Sequence, residues 1–167
     1  VVPWQLATPA HGSRALGEVL YTHYVYPFEL AAVLLLVAIV AAITLTLMTF
    51  ARPGAHLLVA DHVYGNTRIF CEGVLTRMGV EIEYFDPMIG SGIEALMRPN
   101  TTAIFTEAPG SQSFEVQDIP AIAKVARAHG ATLLMDNTWA TPFFFPPHEM
   151  GVDLAIEAGT KYLSGHS

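Results

Sequence analysis

The sequence predicts an α/β domain with a mainly parallel sheet, preceded by one long hydrophobic helix. From Ala55 onward, short apolar runs alternate with amphipathic stretches, the pattern of strand–helix units that layer into parallel sheets. Between Leu30 and Ala51 the chain runs without a charge, a glycine or a proline. Charge is also unevenly divided: residues 1–50 carry only Arg14, Glu18 and Glu29, and all other charged residues follow. The expected organisation is an N-terminal segment with an aromatic run (1–29), a hydrophobic helix (30–51) and an α/β domain (52–167).

Composition narrows the function classes. Of 167 residues, 52% are hydrophobic and 14% charged, which excludes a disordered chain, since disorder needs low hydrophobicity and high charge. Cys71 is the one cysteine, so there is no disulfide framework. Eight basic residues against 15 acidic give a net charge of −7, which argues against a nucleic-acid partner.

The segment LAAVLLLVAIVAAITLTLMTFA (30–51) is long enough to span about 30 Å of hydrocarbon as a helix. Tyr21, Tyr24, Tyr26 and Phe28 precede it, as aromatic residues do at membrane interfaces. It reads as a transmembrane helix; the alternative is a buried core helix, and Thr44, Thr46 and Thr49 suit either setting. A signal peptide does not fit, because the run is too long and no cleavage site is evident.

Past Ala55 the predicted strands are HLLVA (56–60), VEIEYF (80–85), TAIFT (102–106), ATLLMD (131–136) and VDLAIEA (152–158). Helices are expected over 66–78, after YGN, and over 92–97, after a Gly-Ser-Gly turn. The segment 118–129 carries the most complete helix signals. Asp118 stands at the N-cap, Pro120 lies in the first turn, Ile119, Ile122 and Ala126 share a face, and Gly130 ends the helix.

In parallel sheets ligands bind beyond the carboxyl ends of the strands, so the strand ends are the positions to inspect. Three stand out: Asp136 before NTWATP, Glu107-Ala-Pro-Gly-Ser111, and the segment from Gly159 through Lys161 to His166. Lys161 is one of two lysines. Lys124 lies on a polar helix face, whereas Lys161 follows an apolar strand among small residues. Lost solvent there would lower its pKa and make the amine a nucleophile toward an aldehyde. A strand-end carboxylate such as Asp136 could hold a heteroaromatic nitrogen protonated. Taken singly, Asp136 also reads as a turn residue and Lys161 as a surface lysine. Trp139 and Phe143–Phe145 read as core. The histidines show no metal spacing, and Gly90-Ser-Gly92 is a turn, not a phosphate loop.

Together, ADHVYGNTR, EAPGSQSFEVQDIPAIAKVARAHG, MDNTWATPFFFPP and TKYLSGHS resemble the Cys/Met-metabolism family of pyridoxal-phosphate enzymes over about residues 41–167. Ser111 in EAPGS points toward its cystathionine β-lyase branch. The resemblance implies the large domain of the aminotransferase fold (type I), pyridoxal 5'-phosphate as cofactor, and α,β-elimination of cystathionine to homocysteine, pyruvate and ammonia. It implies that Lys161 holds the cofactor and later shuttles the substrate Cα proton, that Asp136 pairs with the ring nitrogen, and that Tyr64 stacks on the ring and assists proton transfer. Thr160 would help hold the phosphate and Ser111 would contact the ring hydroxyl side. Tyr64 also reads as the cap of a strand–helix turn. The resemblance further implies a cytoplasmic homo-oligomer acting on an amino-acid substrate.

Residues 16–47, through LYTHYVYPFELA and LLLVAIVAAI, resemble the last transmembrane helix of subunit J (chain 6) of NADH–quinone oxidoreductase. This implies a membrane-arm component and, if 30–51 inserts, membrane contact at a bacterial inner membrane. VAAITLTLM (40–48) is compatible with either family, which is the pattern of a fusion. Against the lyase family, YPFELAAVLLL stands where a glycine-containing phosphate-binding turn is expected. The N-terminal arm and the C-terminal domain with its carboxylate-binding arginine are not found. The expectation is an inactive or impaired fragment, or a non-functional fusion.

Overall fold

The computed structural model describes residues 9–163, without the side chains of 9–13, 28 and 31–40. Residues 1–8, the Phe28 side chain and Ser164–Ser167 with His166 lie outside the described residues. The chain divides into two compact units, 1–38 and 39–167.

The first unit contains α1 (Pro9–Thr22) and the start of α2 (Val25–Phe50). His23 and Tyr24 both donate their N–H groups to the Val19 carbonyl, at 2.9 and 3.2 Å, and close α1. Pro27 falls in the first turn of α2, where a missing N–H leaves no helix bond unmade.

The second unit holds the rest of α2 and the whole sheet. Ile43, Leu47 and Ala51 recur every four residues and are 3%, 0% and 8% exposed, within the same apolar cluster as Leu57, Ile104 and Leu134. The Thr102 hydroxyl donates to the Phe50 carbonyl at 3.2 Å, so β3 satisfies one of the acceptors left open at the helix end. The reading of 30–51 as a membrane span is therefore corrected. The run is helical through Phe50, but its last turns are built into protein core. Among the described residues no helix is long and apolar enough to cross a membrane.

Five parallel strands form one sheet in the order β2-β1-β3-β4-β5, with β1 at His56–Ala60, β2 at Glu81–Phe85, β3 at Thr101–Glu107, β4 at Thr132–Asp136 and β5 at Leu154–Ile156. Each lies on a predicted strand. β1 is buried at every residue and β3 at all but one, which is why these strands read as unbroken apolar runs rather than alternating ones.

The helix expected over 66–78 is one helical stretch in three geometries: α3 (Gly65–Phe70), a π-helical turn (Cys71–Leu75) and a 3₁₀ turn (Thr76–Met78). It ends at Gly79 with φ +82°. The 92–97 segment is a 3₁₀ helix over Gly90–Leu96. α4 (Ile119–His129) carries the predicted signals. Asp118 accepts from the Ala121 N–H at 3.1 Å, and Gly130 closes the helix at φ +70°.

α5 (Thr141–Phe144) overturns the reading of its aromatic run as core. In this single turn, Thr141 is buried and Phe145, four residues on, packs against the core. Phe143 and Phe144 point outward, 86% and 80% exposed.

Burial makes α2 testable. Leu47→Ala is expected to lower unfolding stability by about 2–5 kcal/mol in urea titrations, whereas Leu45→Ala, at an exposed position of the same helix, is expected to change it by less than about 0.5 kcal/mol. Equal effects would refute the core placement.

Candidate active site

The strand order changes direction between β1 and β3. β2 lies on one side of β1, while β4 and β5 follow on the far side of β3. Loops leaving adjacent strands at such a point diverge and leave a crevice at their carboxyl ends. Here those loops are Asp61–Tyr64 after β1 and Ala108–Gln117 after β3.

Parallel pairing aligns the strand ends. Glu107 pairs in register with Asp136, and Asp136 with Ile156. Two carboxyl groups thus stand on neighbouring strands, 5% and 8% exposed. Asp136 Oδ1 accepts the Thr138 N–H at 3.0 Å, and the Thr138 hydroxyl accepts the Ala158 N–H at 2.9 Å. These bonds tie the loop after β4 to the turn after β5. Asn137, fully buried, donates to the Phe145 carbonyl and to the Glu157 carboxylate, each at 3.1 Å.

The loop after β1 is fastened to β3. Glu107 Oε2 accepts the Tyr64 N–H at 2.8 Å, His62 Nε2 donates to the Glu107 carbonyl at 2.7 Å, and the Ser111 N–H donates to the His62 carbonyl at 3.3 Å. His62 Nδ1 lies 3.1 Å from the Glu115 carboxylate. The glycine of EAPGS has a steric reason: a Cβ at Gly110 would come within 2.5 Å of the His62 ring. The preceding Ala108–Pro109 peptide is cis.

Lys161 is carried by the turn after β5, where its N–H donates to the Ala158 carbonyl at 3.0 Å. Its ammonium lies 5.6 Å from the centroid of the Tyr64 ring. Tyr64 is the N-cap residue of α3, and its hydroxyl accepts from the Asn66 amide at 3.0 Å. Ser111, Thr138, Trp139, Lys161 and Tyr162 line one cleft of about 390 Å³. Its wall is aromatic. Trp139 meets Phe114 edge-on at 5.3 Å between centroids and lies 5.4 Å from Tyr162, linking the loops after β3, β4 and β5. Phe114 and Thr141, at φ +60° and +58°, hold left-handed conformations.

Burial governs the electrostatics. It pushes the Glu107 carboxyl up to about 8, and the neighbouring Asp136 charge adds to the shift. The Tyr64 N–H and the Lys161 charge oppose it. Burial also raises Asp136, against the hydrogen bonds from Thr138 and the Lys161 charge.

Of the residues singled out from sequence, Ser111 and Lys161 line this cleft, the Tyr64 ring lies 5.6 Å from the Lys161 ammonium, and Asp136 at the end of β4 feels the Lys161 charge. Thr160 is half-buried on the Lys161 turn, and among the described residues no hydrogen bond joins it to the others. Lys161 is exposed, not desolvated as its flanks suggest, because β5 is a three-residue edge strand with β4 as its only sheet neighbour. Trp139, read as core, is 41% exposed and lines the cleft. Sequence reasoning gave no role to Glu107, Thr138, Tyr162 or His62. The Asp-Asn-Thr spacing carries the signal for Thr138, since an Asp commonly accepts the N–H two residues on.

Comparison with known proteins places the chain. Residues 29–167 match the family model described as Cys/Met metabolism PLP-dependent enzyme. Two curated proteins named "Putative cystathionine beta-lyase" are similar. The one from Rhizobium johnstonii is 58% identical over 76% of this chain and 32% of its own length. The one from Saccharomyces cerevisiae is 54% identical over 75% of this chain and 37% of its own. A crystal structure of cystathionine gamma-lyase from Lactobacillus plantarum, complexed with L-serine, superposes with a TM-score of 0.71 at 35% identity, covering 75% of this chain and 33% of that one. The chain thus spans about a third of the length of the curated relatives it matches. Residues 2–45 match the model of NADH-ubiquinone/plastoquinone oxidoreductase chain 6, overlapping the first match over 29–45.

The buried Glu107 carboxyl yields a pH-dependent prediction. A carboxyl raised from 4.5 to about 8 gives stability that is full below about 4.5 and is lost as pH rises through about 8. Glu107→Gln does not titrate. Its stability relative to the unsubstituted chain should therefore rise across that window, by a few kcal/mol at most, since one pKa unit is about 1.4 kcal/mol. Urea titrations at pH 5, 7 and 9 measure the gap, and a gap independent of pH would refute the assignment.

Proposed function

The chain belongs to the Cys/Met-metabolism family of pyridoxal-phosphate-dependent enzymes, and on that premise we propose that its strand-end cleft is the cofactor site of a carbon–sulfur lyase of the cystathionine β-lyase type. The reaction is α,β-elimination of cystathionine, which releases homocysteine, followed by hydrolysis of the remaining imine by one water to pyruvate and ammonia. One observation carries the reading: an amine, an aromatic ring and a buried carboxyl, from Lys161, Tyr64 and Asp136, stand at the carboxyl ends of strands of one sheet, with the Lys161 amine 5.6 Å from the Tyr64 ring and its charge acting on Asp136.

The residues suit the cofactor on physical grounds. Asp136 is a buried carboxyl whose charge is disfavoured by its surroundings. A protonated ring nitrogen would supply the missing counter-charge. Lys161 presents an exposed amine for an aldehyde, and the Tyr64 ring offers a flat face beside it.

When bound, pyridoxal phosphate supplies an electron sink for the pair left at the substrate Cα when its proton departs. The roles assigned to the chain follow from position. Asp136 holds a proton at the ring nitrogen, oriented by the Thr138 N–H. Lys161 Nζ holds the cofactor and moves the proton at Cα, and Tyr64 stacks and assists that transfer. Ser111, on the cleft wall, contacts the ring hydroxyl side, and Thr160 helps hold the phosphate. Trp139 and Tyr162 supply the aromatic wall of the cleft beside Lys161. The β-lyase assignment within the family rests on Ser111 in EAPGS and on the names of the relatives above. The reading entails a cytoplasmic setting and self-association, and the exposed Phe143–Phe144 face suits the latter.

The test is pyridoxal-phosphate titration of the purified chain, followed by visible absorbance. The unsubstituted chain is expected to develop a cofactor band that Lys161→Ala lacks, and Asp136→Asn is expected to weaken cofactor affinity at least tenfold. A folded sample whose spectrum matches that of Lys161→Ala would refute the reading.

A further inference from the structure

Glu107 occupies a junction that the proposed chemistry leaves without a role. It is the last residue of β3 and 5% exposed, and three of its polar groups are bonded. Its N–H donates to Gln117 Oε1 at 3.2 Å, its carbonyl accepts from His62, and its side chain accepts the Tyr64 N–H at 2.8 Å. Within a helix, a Glu at the third position commonly reaches back to the N–H of the N-cap residue. Here the N-cap residue is Tyr64, and the carboxyl comes from 43 residues away, across the sheet.

This bond bears on the site because the other hydrogen bonds of Tyr64 are local to its own helix end. Its carbonyl accepts from the Thr67 and Arg68 N–H groups at 2.8 and 3.2 Å, and its hydroxyl accepts from Asn66 two residues on. The Glu107 bond ties the Tyr64 backbone to the strand that also stands level with Asp136. The backbone that carries the ring beside Lys161 is thus anchored across the sheet to β3.

We propose that Glu107 is a positioning residue that sets the Tyr64 ring against the Lys161 amine, acting as a hydrogen-bond acceptor for the Tyr64 N–H and not as a charge. A carbonyl-type oxygen at this point suffices, and a protonated carboxyl or an amide supplies one as well as a carboxylate does. The raised ionisation range of Glu107 agrees with a role that survives its neutral form. The effect on cofactor binding rests on the lyase reading above; the backbone contact does not.

The experiment uses the full chain with Glu107→Ala and Glu107→Gln, each also made with Tyr64→Ala. In the protein alone, amide exchange of Tyr64 followed by NMR is expected to speed up at least tenfold in Glu107→Ala and to stay within about threefold of the unsubstituted rate in Glu107→Gln. The amides of β1 and β4 report whether the fold is retained. With pyridoxal phosphate, Glu107→Ala is expected to weaken affinity about tenfold, with rescue by Gln to within about twofold. On the Tyr64→Ala background, Glu107→Ala should change affinity less than twofold. Unchanged Tyr64 exchange in Glu107→Ala would overturn the proposal. So would a Gln variant as impaired as Ala, or a full Glu107→Ala effect persisting without the Tyr64 ring. If the unsubstituted chain shows no Lys161-dependent cofactor band, the lyase reading fails, and the Tyr64 exchange rates still decide the positioning claim.

Discussion

Parallel pairing of β3 with β4, with Glu107 level with Asp136, is the constraint on which the rest of the site depends. In a parallel sheet, every strand delivers its carboxyl end to the same edge, so residues from distant parts of the chain arrive side by side. The order β2-β1-β3-β4-β5 adds a reversal between β1 and β3. The loop bearing Tyr64 and the loop bearing Ser111 leave from neighbouring strands at that reversal, and the His62 and Glu107 bonds span the opening between them. Register and strand order bring the Tyr64 ring and the Lys161 amine, almost a hundred residues apart in sequence, to 5.6 Å.

The elements were legible where one physical signal dominates. β1 and β3, buried almost throughout, lie on apolar runs, and all five strands fall on predicted strands. α4 was legible from its caps, because Asp118 and Gly130 satisfy helix-end groups that have no other partner. Of the site, the strand-end positions pointed to Asp136 and Lys161, but separate apolar runs do not disclose which strands are neighbours. Glu107 shows the limit. Its strand-end place was marked by the sequence, but its partner is a residue 43 positions away, which no local pattern discloses. The aromatic residues misled for a related reason. Phe143 and Phe144 are apolar, but a single turn can bury only one side, and Thr141 and Phe145 take it.

The hydrophobic helix shows what hydropathy can and cannot decide. Lipid and a protein interior reward the same side chains, so an uncharged run identifies a helix without identifying its surroundings. The discriminating information is periodic and lies outside the run. Ile43, Leu47 and Ala51 meet a sheet that supplies both apolar contacts and a hydroxyl, from Thr102, for the Phe50 carbonyl. A helix end that receives a side-chain donor from a strand is already solvated by protein. The overlap of two family matches across 29–45 reflects the same degeneracy, since a stretch rich in Ala, Ile, Val and Leu satisfies either pattern.

The two buried carboxyls explain why the site tolerates its own electrostatics. Like charges on adjacent strands in a dry environment cannot both ionise without help. The structure helps them unequally. Asp136 has the Thr138 N–H, and the two share the field of the Lys161 charge. Glu107 has the Tyr64 N–H and is still pushed up to about 8 by burial and by the Asp136 charge, and its acceptor oxygen stays on Tyr64. An exposed Lys161 completes the division. A flat ligand seated beside the Tyr64 ring would displace water from all three groups together. Burial and the Lys161 charge therefore act in opposite directions on the ionisation of both carboxyls.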